Sequence, residues 1–188
     1  MNLIDLSEWA ARLSRFQTLI GAVLGFGGVV ATLLWNAYQA RRLDALRSRE
    51  ERLALLSAFY AELASIQGIV AQFNVYVARK SAAFSKGDDL AEPHVLLPCP
   101  RLVYEKNVDK LGRLGKSISF ETVKTYSDVA EMELMATALR DASLGQHPSW
   151  NIAAANSAEM ARYTEKALES TVCTIDMIKI ALSEEKAG

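Results

Sequence analysis

The side chains able to do chemistry are few and scattered. The 188-residue chain has two histidines, His94 and His147, each next to a proline. Neither has a second histidine or a carboxylate at ligand spacing, so a zinc-type site would have to be assembled from distant parts. Solvated loop histidines are the expectation. Cys99 lies between Pro98 and Pro100, and a Cys-Pro dipeptide is the minimal pattern of a haem site that acts through a thiolate. Two residues are too little to specify one. Cys173, between Val172 and Ile175 in the sequence, reads as a small core residue. Two cysteines cannot build a disulfide framework, and a reducing compartment would keep both as thiols.

Carboxylates occur as Asp88-Asp89, Glu50-Glu51 and Glu184-Glu185. Each pair is adjacent in sequence and suits a solvated surface. Glu62 and Glu133 fall in helical stretches beside apolar faces, with no obvious basic partner. A hydrolase or transferase needs a nucleophile, a base and an orienting group, and no such trio can be named. The sequence therefore predicts no enzyme, no cofactor and no metal. The 21 Lys+Arg balance 22 Asp+Glu for a net charge of −1, without the basic face that nucleic acid requires.

What the sequence does specify is a membrane element. Between Arg15 and Arg41 no residue is charged, and 12 of residues 18–35 are hydrophobic. At ~1.5 Å per residue, residues 16–40 as a helix reach roughly 37 Å, enough for a bilayer's hydrocarbon core. Phe16 and Trp35 mark its ends, where aromatic rings favour the headgroup level. A cleaved signal peptide fits poorly, because residues 1–15 carry Asp5 and Glu8 beside Arg12 and Arg15, and no small-x-small site follows Trp35. In residues 1–15, Leu6, Trp9, Leu13 and Phe16 share a face opposite Asp5, Glu8 and Arg12, an amphipathic segment suited to the interface. Arg41, Arg42, Arg47, Arg49 and Arg52 follow the span, against two arginines before it. That asymmetry places the C-terminal body in the cytoplasm and the N-terminus outside.

Four of the ten glycines lie in the span. Gly21 and Gly25 form a G-x-x-x-G pair, which Gly28 and Thr32 continue, and Gly27 with Ala31 makes a second small pair. Close backbone approach at such residues drives helix association in lipid. The G-F-G-G stretch lacks the spacing and the lysine of a phosphate loop.

Beyond the span, a charged helical stalk covers residues 41–55, with Arg47 placed to pair with Glu51. Leu56, Phe59, Leu63, Ile66, Val70, Phe73 and Val77 then recur three and four apart, as in a bundle or coiled coil. Leu55, Tyr60, Ile69 and Tyr76 widen that stripe. Prolines and Gly87 make residues 85–101 a loop, the first candidate for a contact with a protein partner of unknown identity. A short helix ending at Gly112 or Gly115 follows. Ser119 is the expected cap of the next helix, with Val123, Tyr126, Val129, Met132, Ala136 and Leu139 inward. A last helix over 150–184 turns Ala161, Leu168, Val172, Ile175, Ile178 and Leu182 inward. The expected fold is all-α: one N-terminal transmembrane helix continuing into an antiparallel cytoplasmic bundle over 56–188.

Two stretches carry a resemblance. They are Gly25-Phe-Gly-Gly-Val-Val-Ala-Thr-Leu-Leu-Trp-Asn36, and Tyr104-x-x-Asn107 leading to Leu111-Gly112-x-Leu114-Gly115 and Val123-x-x-Tyr126. The layout resembles a loose group of small, mostly uncharacterised bacterial inner-membrane proteins with one N-terminal span and a helical cytoplasmic body. The resemblance implies architecture and location and carries no activity. In this chain Asn107 and the two glycines would shape a tight connection, with Tyr104, Leu111 and Leu114 closing one end of the bundle. The leading expectation is a self-associating interaction protein, a homo-oligomer in the lipid bilayer. The alternative is a membrane-active effector, channel-like or disruptive, in a stress or phage response. A third is an envelope-tethering protein, which needs the body outside and so conflicts with the arginine asymmetry.

Overall fold

The computed structural model describes residues 3–86, 98–145 and 150–187. His94, His147 and most of the Pro-rich loop lie outside the described residues, as do the side chains of Leu6, Trp9, Leu13 and Leu139. Among the described residues every regular element is helical: α1 (Leu3–Lys86), α2 (Leu102–Asn107), a 3-10 segment (Val108–Leu114), α3 (Lys116–Gly145) and α4 (Trp150–Ala187). The chain divides into two compact units, Met1–Glu50 and Glu51–Gly188.

The first unit is the leading part of α1, an 84-residue helix unbroken by proline. Among the described side chains its apolar residues are exposed, including Phe16, Leu19, Val23, Leu24, Phe26, Leu33, Leu34 and Trp35. α1 is long and apolar enough to cross a membrane, and none of its apolar window is buried within the molecule. A core helix of a soluble protein would have that window covered. The glycines do not break the helix, and Thr32 Oγ1 returns a hydrogen bond to the Gly28 carbonyl at 2.8 Å, satisfying its hydroxyl without water.

In the second unit the predicted stripe is the core. Leu56, Phe59, Leu63, Ile66, Val70, Phe73 and Val77 are all buried, and Tyr60, Ile69 and Tyr76 pack half-buried against them. From the later helices Tyr126, Val129, Met132, Ala136, Met160, Ala167, Ile175 and Ile178 complete the cluster. Two residues assigned inward face out instead: Val123 is 45% and Val172 36% exposed. The buried arcs of α3 and α4 are centred on hydroxyl residues that an apolar-only reading skips. Thr122, Thr125, Thr164, Ser170, Thr171 and Thr174 are buried. Thr125 and Thr174 hydroxyls meet at 2.8 Å, and Thr125 Oγ1 also donates to the Ser170 carbonyl at 3.0 Å.

Within this unit Thr125 meets Ser170 and Thr174, and Lys166 reaches Asp128 and Glu131. Arg52 pairs with Glu185 at 2.5 Å. Glu51 pairs with Arg113 of the 3-10 segment, and Glu62 with Tyr126 of α3. Gly115, between the 3-10 segment and α3, has a φ of +93°, a conformation that favours glycine. Ser119 is not the cap of α3: the helix begins at Lys116, and Ser119 Oγ donates to the Leu111 and Gly115 carbonyls.

Candidate functional site

Two arrangements stand out, one in each unit. In the first, α1 sets four small residues on one face. At about 100° per residue, Gly21, Gly25, Gly28 and Thr32 fall within an arc of roughly 60°, whereas Leu19, Val23, Phe26, Val30 and Leu33 lie about 120° or more from Gly21. A Cβ added at Gly21, Gly25, Gly27 or Gly28 would meet nothing within 4 Å. No contact among the described residues requires these glycines, so their smallness is available to another helix.

In the second unit, the segment 98–107 is held as a strap by two carboxylates from different helices. Glu133 of α3 accepts the Cys99 amide at 2.7 Å through one oxygen and pairs with Arg101 through the other. Glu62 of α1, only 7% exposed, accepts the Val103 amide at 2.6 Å and the Tyr104 amide at 3.1 Å. It also accepts the Tyr126 hydroxyl from α3. The residue preceding α2, Arg101, makes no side-chain cap. Glu62 therefore does from another helix what a local Ser or Asp usually does, satisfying the free amides of a first turn. The Tyr104 ring stacks on Tyr126 at 4.1 Å, and Phe59 meets Tyr126 edge-on at 6.5 Å. Asn107 Nδ2 closes the helix turn onto the Val103 carbonyl at 2.9 Å. Leu111 and Leu114 are buried beneath the 3-10 segment.

The surroundings of the strap favour the protonated forms of Cys99 and Tyr126. Burial, then the neighbouring Glu133 charge and hydrogen bond, push the Cys99 thiol up to about 12, against a smaller opposing effect of Arg101. A thiol so protected is protonated near neutrality. Burial and the Glu62 hydrogen bond push the Tyr126 phenol well above its usual value. Both oxygens of Glu62 and of Glu133 already accept hydrogen bonds. Cys173 is exposed, contrary to its expected place in the core. The position explains it: Thr171, Thr174 and Ile175 take the buried face of α4, leaving Val172 and Cys173 outside.

The residues singled out from sequence separate accordingly. Gly21, Gly25, Gly28 and Thr32 share one face of an exposed helix. Arg41, Arg42 and Arg47 are exposed along the first unit and Arg49 is partly so. Arg52 belongs to the body, tied to Glu185, and Arg47 leaves Glu51 to Arg113. Among the described residues no three His, Cys, Asp or Glu side chains cluster as metal ligands. The strap was missed, although one signal pointed to it. Glu62 sits beside the apolar arc of Phe59, Leu63 and Ile66, between it and Ile69, where a carboxylate needs donors. No protein family, curated protein or solved structure matches the chain at a significant level.

Proposed function

We propose that this chain is a membrane-anchored interaction protein of the bacterial inner membrane that associates with copies of itself through its span. The carrying observation is the exposed apolar length of α1, with glycines on one face that nothing among the described residues contacts. An apolar helix with every side chain uncovered is stable in lipid and costly in water. In lipid, a small-residue face gains van der Waals contact and backbone proximity by pairing. The arginine excess after Trp35 supports a cytoplasmic body and an outside N-terminus. The body is a helical bundle in which α4 runs antiparallel to its neighbours.

The experiment combines insertion, topology and assembly. The full chain is expected to resist alkaline carbonate extraction from membranes. A C-terminal periplasm-dependent reporter should stay silent; activity there would reverse the orientation. Leucine at Gly21, Gly25 and Gly28 together should abolish crosslinked oligomers in cells and in mild detergent. Oligomers of unchanged size in that variant would end the self-association reading while leaving the anchor intact.

A further inference from the structure

We propose that α1 carries, at residues 41–49, a collar that binds anionic phospholipid headgroups and enriches that lipid class around the span. The inference rests on the membrane-anchored reading and adds the partner chemistry of this surface. Trp35 and Tyr38 are mostly exposed and lie 6.3 Å apart between ring centroids. Such amphipathic rings settle at the boundary between acyl chains and headgroups. At ~1.5 Å per residue, Arg41 and Arg42 stand about 9–10 Å further along the axis, and Arg47 and Arg49 about 18–21 Å. The first charges leaving the apolar stretch are thus both positive, and residues 41–50 carry a net charge of +2 after Asp44 and Glu50 are counted. Arg41, Arg42 and Arg47 are exposed.

Their azimuths decide the kind of partner. Measured from Arg41 at about 100° per residue, Arg42, Arg47 and Arg49 stand at roughly 100°, 240° and 80°. No sector wider than about 140° lacks an arginine. A protein or peptide docks on one side of a helix and would be met by a stripe. A headgroup layer pierced by the helix surrounds it: Arg41 and Arg42 stand within side-chain reach of the phosphates, and Arg47 and Arg49 follow outside that layer, Arg47 on the far side of the axis. Guanidinium pairs bidentately with phosphate. Zwitterionic lipid offers phosphate too, but its ammonium cancels the charge, so only the anionic class leaves a negative surface potential, felt within a Debye length of ~8 Å.

The test uses the full chain with Trp9→Phe and Trp150→Phe, leaving Trp35 as the sole tryptophan, reconstituted from detergent into phosphatidylcholine vesicles. Either brominated phosphatidylcholine or brominated phosphatidylglycerol is added at equal mole fraction, and quenching of Trp35 fluorescence gives their relative affinity. Phosphatidylglycerol is expected to quench more strongly, by up to about 5-fold in relative affinity for each arginine near the surface. High salt should reduce that preference. Arg41→Gln with Arg42→Gln should bring the ratio close to one, and Arg47→Gln with Arg49→Gln should lower it less. Equal quenching by both lipids, or a preference unchanged in the Arg41/Arg42 variant, overturns the collar while insertion stands. Absence of quenching by brominated phosphatidylcholine itself would instead overturn the anchor. Because no insertion machinery is present, a purely topological role of the arginines would not move the ratio.

Discussion

Removing the Glu62 carboxylate tests the strap most directly. In Glu62→Ala, the Val103 and Tyr104 amides and the Tyr126 hydroxyl lose their acceptor together. A buried donor without a partner costs about 1–3 kcal/mol. The two amides open a first turn that is only half-buried, so water recovers part of theirs. Tyr126 is 3% exposed and recovers little. Summed with that discount, the loss is ~3–5 kcal/mol, a large share of the 5–15 kcal/mol typical of a whole domain. At about 3–5 °C per kcal/mol for a unit of this size, the body should melt ~10–20 °C lower. Glu62→Gln keeps the shape and one accepting oxygen but loses the charge assistance, and should cost ~1–2 kcal/mol.

Near-ultraviolet circular dichroism on the full chain in detergent reads the Tyr104–Tyr126 stack directly, because the span keeps its helix whatever the body does. Hydrogen exchange at residues 102–107 gives a second readout. Those amides should exchange far faster in Glu62→Gln, with residues 56–77 little changed. A melting shift below ~2 °C in Glu62→Ala, or unaltered exchange in 102–107, would show that Glu62 does not hold the strap.

The thiols should separate by reactivity. Exposed Cys173 should react with a maleimide within minutes in the native chain, while buried Cys99 reacts only on denaturation; equal rates would contradict the packing of Glu133 over the strap. The raised Cys99 pKa has a sign for stability. The unfolded thiol ionises above pH 9 and the folded one only near 12, so its contribution is intact below pH 9 and declines as pH rises toward 12. Cys99→Ala should remove up to ~1.4 kcal/mol per pH unit of that alkaline slope. Gly115→Ala should cost ~1–3 kcal/mol, because nothing crowds a Cβ there but the φ of +93° is strained for any L-residue. Gly112→Ala, equally uncrowded and without positive φ, should be near neutral; similar losses at both sites would refute the backbone explanation.

The parts of this molecule that were legible in sequence are those fixed by periodicity. Leu56 to Val77 alternate three and four apart, and one helix can bury that set only on one side. The uncharged stretch from Phe16 to Ala40 is likewise a one-dimensional feature, readable without knowing what packs on what. Val123 and Val172 failed for a related reason. Each was assigned inward by type, yet the buried face of each helix was taken by threonines; Thr164 and Thr171 bond backbone carbonyls four residues earlier, Thr125 and Thr174 reach across α3 and α4, and only the Thr122 hydroxyl is buried without a partner among these. A threonine so satisfied behaves as a small apolar residue, and hydropathy ranks it wrongly.

The strap was illegible because its partners are about forty residues and more than thirty residues away, from Val103 to Glu62 and from Cys99 to Glu133. Capping is normally read from the residue preceding a helix, and Arg101 offers none. What sequence did offer was a misplaced charge: Glu62 beside an apolar arc, with no lysine or arginine at helical spacing to answer it. A buried carboxylate without a cation has to be held by several N–H or O–H donors. The best local supply of such donors is the open first turn of a helix. The short helix after Pro100, with no side-chain cap of its own, was the available one. Joined to the need of Tyr126 for an acceptor, the three deficits are met at a single point. An unexplained charge on a core face and an uncapped helix elsewhere in the same chain should therefore be considered as a pair.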